Sequence, residues 1–239
     1  GGADLVFVQT EDGRLIALER TNGAVRWSYD NPVPVLTLRG TSMPVFGGGL
    51  VYAGFANGMI AAIRAETGEP VWEHRVMLPE GRSELERMVD IDSTPVLAGG
   101  LVFVVSYQGR LKALRATDGS LLWEQELSSF LDLAAGFRQV FVVDQIDTVL
   151  AYDQQSAERL WSQEGLLRRQ LSSPVALGEY VLVGDSEGYL HVLSQANGEF
   201  VGRRRVDRKG VRSPMVAADG VVYVLGNSGS LQALEIKAR

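Results

Sequence analysis

Short apolar stretches recur along this chain, and a turn containing glycine separates most of them. Residues 101 to 127, "LVFVVSYQGRLKALRATDGSLLWEQEL", show the pattern: an apolar run and an alternating run flank a turn at Gly109, and a third run follows a turn at Gly119. Apolar, β-branched and alternating runs of this length are typical of β-strands, and glycine supplies the positive φ that a tight hairpin turn requires. The segment therefore predicts three antiparallel strands joined by two tight turns.

The same pattern repeats along the whole chain. Five further copies, the last of them shorter, begin at Leu5, Leu50, Val140, Val181 and Val221. The first-turn position returns at intervals of 38 to 51 residues, which is the spacing of a structural repeat. That position is occupied by Gly13, Gly58, Gly109, Asp147, Gly188 and Gly229.

A second turn follows ten residues after the first, and a tryptophan stands four residues beyond it. All four tryptophans of the chain occupy this position, at Trp27, Trp72, Trp123 and Trp161, whereas Gly202 occupies it in the fifth copy. A large flat ring on the outer strand suits the contact between one repeat and the next. Most copies are preceded by a segment with a proline after a serine, which predicts a short innermost strand, because proline is tolerated at a strand start.

Four strands in each period of about 40 residues predict a β-propeller, an all-β fold of four-stranded antiparallel blades. A repeat of helices is the competing architecture, but the chain has no long stretch with a period of 3.6 residues. The 239 residues hold four full blades, a fifth with Gly202 at the tryptophan position, and the opening strands of a sixth. We therefore expect residues 1–239 to form a single propeller domain of about five to five and a half blades.

Several stretches resemble a known family. The repeat core, such as Thr117-Asp118-Gly119 followed by Trp123, is similar to that of quinoprotein-type propellers. Within that group the chain resembles the BamB family, the outer-membrane lipoprotein subunits of the β-barrel assembly (BAM) machinery. The matching stretches include "LTLRG" at 36–40, "DIDSTPV" at 90–96, "FVVDQIDTVLAY" at 141–152 and "VGDSEGYLHVL" at 183–193. Because propellers of that family have eight blades, the resemblance implies a chain incomplete on its N-terminal side, without the family's lipidated cysteine.

Composition excludes several classes of function. The net charge of −6 argues against a nucleic-acid partner. Cysteine is absent, so no disulfide or thiolate site is expected. Apolar runs stay well below the roughly 18 to 20 residues of a membrane span.

Enzymatic alternatives find little support. Dehydrogenases with a quinone cofactor share the fold, but they hold the cofactor beside a calcium site, often with adjacent cysteines, and here every tryptophan belongs to the repeat. We therefore expect no cofactor and no catalysis, with such a dehydrogenase as the alternative. Gly184 to Gly188 matches the G-x-S-x-G pattern of hydrolase nucleophiles, but the strand-like run that follows predicts a hairpin turn instead. His74 and His191 lie in different repeats, and no metal site is expected.

A basic run stands out near the C-terminal end. Residues 202 to 212 read "GRRRVDRKGVR" and hold six cationic side chains. The ordinary interpretation is a solvated strand face. Contact with membrane headgroups or with an acidic partner is the alternative.

Two connectors between successive repeats are longer than the others. From the outer-strand position to the next proline the chain advances 17 residues after Trp27 and 23 after Trp72, but 13 after Trp161 and 12 after Gly202. Connectors that link blades in the same manner emerge on the same rim, so we expect the two long ones to lie side by side. Long loops on a rigid scaffold are common binding sites.

The long connectors carry the candidate site. In an extended segment Leu36 and Leu38 project to the same side, next to Arg39, as in the apolar centre of an interface. Alternatively, the leucines pack under the neighbouring loop and Arg39 binds Asp90 or Asp92. The two carboxylates are expected to engage arginine or backbone donors rather than calcium.

The family resemblance favours an interface. It implies that Leu36, Leu38, Arg39, Asp90 and Asp92 match the residues that dock to BamA through its POTRA domains. It also implies a scaffold at the periplasmic face of the outer membrane that assists the folding and insertion of outer-membrane proteins. Unfolded substrate proteins, added as strands to blade edges, are a second expected partner.

Overall fold

The computed structural model describes residues 4–31, 42–77, 91, 93–106 and 109–237. These residues form 22 strands in six antiparallel sheets. The chain divides into two compact units, Gly1–Phe130 and Leu131–Arg239, with three sheets in each. In the part of the chain described, no helix is long and apolar enough to cross a membrane.

The first unit contains a three-stranded sheet followed by two four-stranded sheets. The first sheet comprises β1 (Leu5–Gln9), β2 (Arg14–Glu19) and β3 (Val25–Asp30). The second comprises β4 (Val45–Gly47), β5 (Leu50–Gly54), β6 (Met59–Arg64) and β7 (Pro70–Arg75). The third comprises β8 (Val96–Ala98), β9 (Leu101–Val105), β10 (Arg110–Arg115) and β11 (Leu121–Glu126).

The second unit contains two four-stranded sheets followed by a three-stranded sheet. The fourth sheet comprises β12 (Ala134–Ala135), β13 (Gln139–Val143), β14 (Val149–Asp153) and β15 (Arg159–Gln163). The fifth comprises β16 (Val175–Leu177), β17 (Tyr180–Gly184), β18 (Tyr189–Ser194) and β19 (Phe200–Arg205). The sixth comprises β20 (Val216–Ala218), β21 (Val221–Leu225) and β22 (Leu231–Glu235).

Every sheet is a meander in which sequential strands pair, and this is the blade organisation that the repeat predicts. The short innermost strands follow the predicted prolines: β4 begins directly after Pro44 and β8 directly after Pro95. At the second turn, which is glycine in most copies, Ala157 has a φ of 63°. Asp147 at the first turn has a φ of 70°. The turn geometry is therefore kept even in the copy that lacks the glycines.

Three of the four tryptophans, Trp27, Trp72 and Trp161, join neighbouring sheets within one unit. Trp27 is 8% exposed, and its Nε1–H donates to the carbonyl oxygen of Ala65 in the next sheet at 2.8 Å. Its ring covers the turn glycine of that sheet, Gly68, where an added Cβ would lie 2.8 Å from the ring. In the second unit, Trp161 donates in the same way to the carbonyl oxygen of Gln195 at 2.7 Å. Each indole thus combines apolar burial with a hydrogen bond, which fixes how two sheets stack.

Candidate functional site

The five residues that the sequence assigns to partner binding lie outside the residues that the structure describes. They are Leu36, Leu38, Arg39, Asp90 and Asp92. Their assignment therefore stays a prediction. The structure does describe the framework on which the two segments that carry them begin and end.

One hairpin turn contacts the chain next to both segments. This turn, residues 55–59, joins β5 to β6, and we call it the anchor turn. Asn31, the last described residue before the first segment, shares a hydrogen bond with the side chain of Asn57 in the turn. Val76, near the start of the second segment, donates its backbone N–H to the Gly58 carbonyl oxygen at 2.8 Å. The second connector is therefore tied to this hairpin by its backbone. The first connector touches it through the Asn31 side chain, while the Asn31 N–H donates to the Gly13 carbonyl oxygen of its own sheet at 3.0 Å.

The second segment returns to the same turn at its far end. The backbone N–H of Ile91 donates to the carbonyl oxygen of Phe55 at 3.4 Å, and both side chains are buried, with 1% and 2% of their surface exposed. A Cβ on Gly54 would lie 2.4 Å from Cγ2 of Ile91, so only glycine permits this approach. Two residues later, Ser93 is buried and donates its hydroxyl to the carbonyl oxygen of Val105 at 2.8 Å. Ile91 and Ser93 are thus fixed points beside Asp90 and Asp92 in the sequence.

The second unit shows the same anchoring with shorter connectors. Val211 is fully buried and donates its N–H to the carbonyl oxygen of Asp185 at 2.9 Å, as Ile91 does to Phe55. A Cβ on Gly184 would lie 2.5 Å from the Val211 side chain, which repeats the contact between Gly54 and Ile91. The repeat therefore supplies the anchors, and the long connectors of the first unit differ by the residues inserted between them.

A polar cluster that the sequence did not reveal surrounds Asp185 in the second unit. The Asp185 side chain is fully buried. Its Oδ1 accepts the backbone N–H groups of Glu187 at 3.0 Å and Tyr189 at 2.9 Å. Its Oδ2 lies 2.8 Å from Nε of Arg169 and 2.8 Å from Nε2 of His191.

The charge state of Asp185 follows from these contacts. Burial alone would raise the pKa of its carboxyl, but hydrogen bonds from His191, the Tyr189 N–H and Arg169 outweigh burial and lower the pKa below its usual value. The carboxylate is therefore ionised at neutral pH, and Nε2 of His191 donates to it. Because every acceptor position is used, this group braces the hairpin and the preceding connector rather than acting as a base.

The G-x-S-x-G match forms a hairpin turn, as the sequence predicts. Gly188 has a φ of 82° and donates its N–H to the Asp185 carbonyl oxygen at 3.0 Å, closing the hairpin between β17 and β18. A nucleophile elbow requires a helix after the turn, and β18 stands there instead. Over the described ranges, no group of three or more histidine, aspartate or glutamate side chains is placed to hold a metal ion.

A cavity of about 470 Å³ lies beside this cluster in the second unit. Its lining combines apolar and cationic side chains, among them Leu166, Arg169, His191, Phe200 and Arg203. The sequence pattern did not predict this cavity, because its lining comes from a connector and two strands that are brought together only by folding. The alternation of "YLHVL" does place Tyr189 and His191 on one face of β18, which is the single sequence signal that pointed here.

Comparison with known proteins identifies similar chains over most of this sequence. A family model described as "Outer membrane protein assembly factor BamB" matches residues 2–163 and 148–239. The protein of that name from Pseudomonas aeruginosa is 47% identical over 208 residues, which cover 87% of this chain and 55% of the relative. The one from Escherichia coli K12 is 37% identical over 202 residues, covering 84% and 52%. The chain thus spans about half the length of the curated relatives it matches.

Solved structures agree with the sequence comparison. The crystal structure of BamB from Moraxella catarrhalis matches with a TM-score of 0.90 at 30% identity, covering 98% of this chain and 70% of that one. This match confirms the predicted all-β propeller fold of four-stranded antiparallel blades. A quinohemoprotein alcohol dehydrogenase from Comamonas testosteroni matches with a TM-score of 0.67 at 14% identity, covering 92% and 49%. At that identity the likeness concerns the fold alone.

Proposed function

Because the chain belongs to the BamB family of outer membrane protein assembly factors, we propose that it is a non-catalytic scaffold subunit of the machinery that assembles outer-membrane proteins. In this proposal it acts at the periplasmic face of the outer membrane and docks to BamA through the POTRA domains. The docking residues are Leu36, Leu38, Arg39, Asp90 and Asp92.

The observation that carries this proposal is the shared anchor turn. Asn31, just before segment 32–41, and Val76, just before segment 78–90, both hydrogen-bond to the hairpin at residues 55–59, and Ile91 returns to it. A rigid anchor limits the conformational entropy that two loops lose on binding, which favours affinity. The anchor turn thus supports one binding surface made by both segments.

The expected contribution of the leucines is large enough to detect. Burying Leu36 and Leu38 in an interface would contribute roughly 3 to 5 kcal/mol before ordering costs are subtracted. Arg39 adds a directional group that suits a carboxylate on the partner or, within the chain, Asp90 or Asp92. The dehydrogenase alternative gains nothing from the described residues, since its likeness to this chain is limited to the fold.

A binding measurement with purified BamA POTRA domains tests the proposal. The double variant Leu36→Ala with Leu38→Ala should weaken binding tenfold or more. The matched control is Leu121→Ala with Leu160→Ala, which removes two leucines that are 44% and 41% exposed on outer strands. Equal binding by the test variant and the wild type, or an equal loss in the control, would contradict the assigned surface.

The unfolding free energy of the same variants separates the interface from the alternative packing. If the leucines pack under a neighbouring loop, each truncation should cost about 2 to 5 kcal/mol of stability. If they are interface anchors, the double variant should unfold like the wild type and still bind weakly. A variant that loses stability and retains affinity would show that Leu36 and Leu38 belong to the core.

A further inference from the structure

The outer strand of the fifth sheet carries a concentration of positive charge. All six residues of β19 are exposed. Across the described ranges, no carboxylate lies within ion-pair distance of Arg203, Arg204 or Arg205. The one acidic residue of the run, Asp207, is buried and accepts hydrogen bonds from Ser228 and from the N–H of Lys209, and these lower the pKa of its carboxyl. The cationic side chains of the run are Arg203, Arg204, Arg205, Arg208, Lys209 and Arg212.

In the third sheet, the corresponding positions hold side chains of opposite charge that pair across the strands. Arg110 on β10 stands opposite Glu126 on the outer strand β11, and Lys112 stands opposite Glu124. Arg110 lies 3.3 Å from Glu124 and 3.5 Å from Glu126, and Lys112 lies 3.4 Å from Glu124. Cross-strand pairs of opposite charge stabilise a sheet. The third sheet thus neutralises its outer strand internally.

At the equivalent positions of the fifth sheet, the residues opposite the arginines are not acidic. Tyr189 stands opposite Arg205, and His191 stands opposite Arg203. Both guanidinium groups lie over the Tyr189 ring, 5.4 Å from its centre. Stacking on the ring orders the two arginines on one face of the strand but supplies no negative charge. Two ordered, unneutralised cations at a spacing of two residues therefore face outward.

The backbone of β19 is open at its outer edge. The N–H of Val206 donates to the Gly188 carbonyl oxygen at 2.8 Å, and bonded positions alternate along an antiparallel ladder. The bonded positions of β19 are therefore Arg204 and Gly202, and the backbone groups of Arg203 and Arg205 point away from β18. Arg203 and Arg205 thus present both a cationic side chain and outward-facing backbone hydrogen-bonding groups at this edge.

We propose that the outer edge of β19 binds an acidic polypeptide in extended conformation, which adds as a fifth strand and places alternate carboxylates on Arg203 and Arg205. The cavity beside Arg203, Phe200 and Leu166 then receives an apolar side chain of that segment. A lipid surface would use the charge, but it would use neither the open backbone edge nor a concave cavity. The proposal does not depend on BamA docking, because it uses described residues of the second unit only.

Fluorescence anisotropy with the 239-residue chain tests the proposal. The probe is a labelled, end-capped ten-residue peptide in which glutamate alternates with valine and threonine. Arg203→Ala with Arg205→Ala should raise its Kd about tenfold, and added salt should weaken binding because the contacts are ionic. The control, Arg26→Ala with Arg159→Ala, removes the same charge from the outer strands β3 and β15 and should leave the Kd within about twofold. If both double variants lose affinity equally, only net charge matters and the proposal fails.

Backbone pairing and the choice of partner are tested with altered probes. The peptide N-methylated at alternate residues should lose binding in one register and keep it in the other, because only every second N–H faces β19. Equal binding by both methylated peptides would overturn strand addition.

Vesicles of phosphatidylcholine with phosphatidylglycerol are the competing ligand. If the vesicles bind through Arg203 and Arg205 while the peptide does not bind, the surface recognises lipid and the proposal is wrong. Arg203→Gln with Arg205→Gln repeats the test with the length of the side chains largely kept.

Discussion

Replacing one turn glycine with alanine tests whether the tryptophans hold neighbouring sheets together. Gly119 has a φ of 69°, and a Cβ there would lie 2.6 Å from Cδ2 of Trp72. Gly23 occupies the equivalent turn of the first sheet with a φ of 72°, and a Cβ there would meet no atom within 4 Å. Both positions belong to the first unit. Gly23→Ala is therefore a matched control that carries the backbone strain without the contact.

The two substitutions differ in cost by the displacement of one ring. The left-handed backbone should cost each alanine variant about 1 to 2 kcal/mol. Gly119→Ala must also move the Trp72 ring, which costs about 1 to 3 kcal/mol as overpacking. The hydrogen bond from Trp72 Nε1 to the Ala116 carbonyl oxygen, 3.0 Å long, adds about 1 kcal/mol if it breaks. We expect a loss of about 1 to 2 kcal/mol for Gly23→Ala and about 3 to 5 kcal/mol for Gly119→Ala.

Urea unfolding followed by far-UV circular dichroism measures both losses as shifts of the midpoint at constant slope. A second measurement uses Trp72→Ala as the background. There Gly119→Ala should cost no more than the backbone strain, which gives a coupling energy of about 2 kcal/mol between the two sites. If Gly119→Ala costs the same as Gly23→Ala in the natural background, the ring does not pack on the turn and the account of how sheets join is wrong.

Three further measurements test charge and packing. Burial lowers the pKa of His74, so the unfolded chain takes up a proton that the folded chain excludes; the unfolding free energy should fall as pH drops below about 6.5, and His74→Gln should remove that part of the fall. The lowered pKa of Asp185 stabilises the fold above about pH 4, and this contribution is lost as the pH falls through the folded pKa. Asp185→Asn should therefore flatten the acid limb of the stability curve and cost about 3 kcal/mol at pH 7. Gly188→Ala would place a Cβ 1.4 Å from a backbone oxygen and should prevent stable folding of the second unit, whereas Gly229→Ala meets no atom within 4 Å and should cost about 1 kcal/mol in thermal unfolding.

The sequence predicted the strands, turns and tryptophan contacts because each depends on a short local pattern that recurs. The copy that lacks both turn glycines shows how strongly the repeat determines the backbone. Asp147 and Ala157 stand where other copies have glycine, and both adopt the positive φ that the register requires. A pattern present in six copies therefore predicts backbone conformation even where one copy carries an unfavourable residue.

The polar cluster around Asp185 could not be predicted in the same way. Arg169 comes from a connector 16 residues earlier in the chain, and His191 comes from the strand after the turn, so no fixed spacing connects the three. The unmatched charge of β19 also depends on which residues stand opposite each other across strands, and a one-residue bulge between Val192 and Leu193 sets part of that register. Contacts of this kind depend on the folded arrangement more than on any local pattern.

The hydrogen bonds from the indole N–H groups to carbonyl oxygens also allow local opening between sheets to be measured without an added label. Trp27, Trp72 and Trp161 each place one N–H at the junction of two particular sheets in the same unit. Their indole proton resonances are few and well separated from the amide signals, so solvent exchange can be followed at each junction in one spectrum. Heating the chain should then reveal which junction loosens first, and a bound ligand should slow exchange only at the junctions it strengthens.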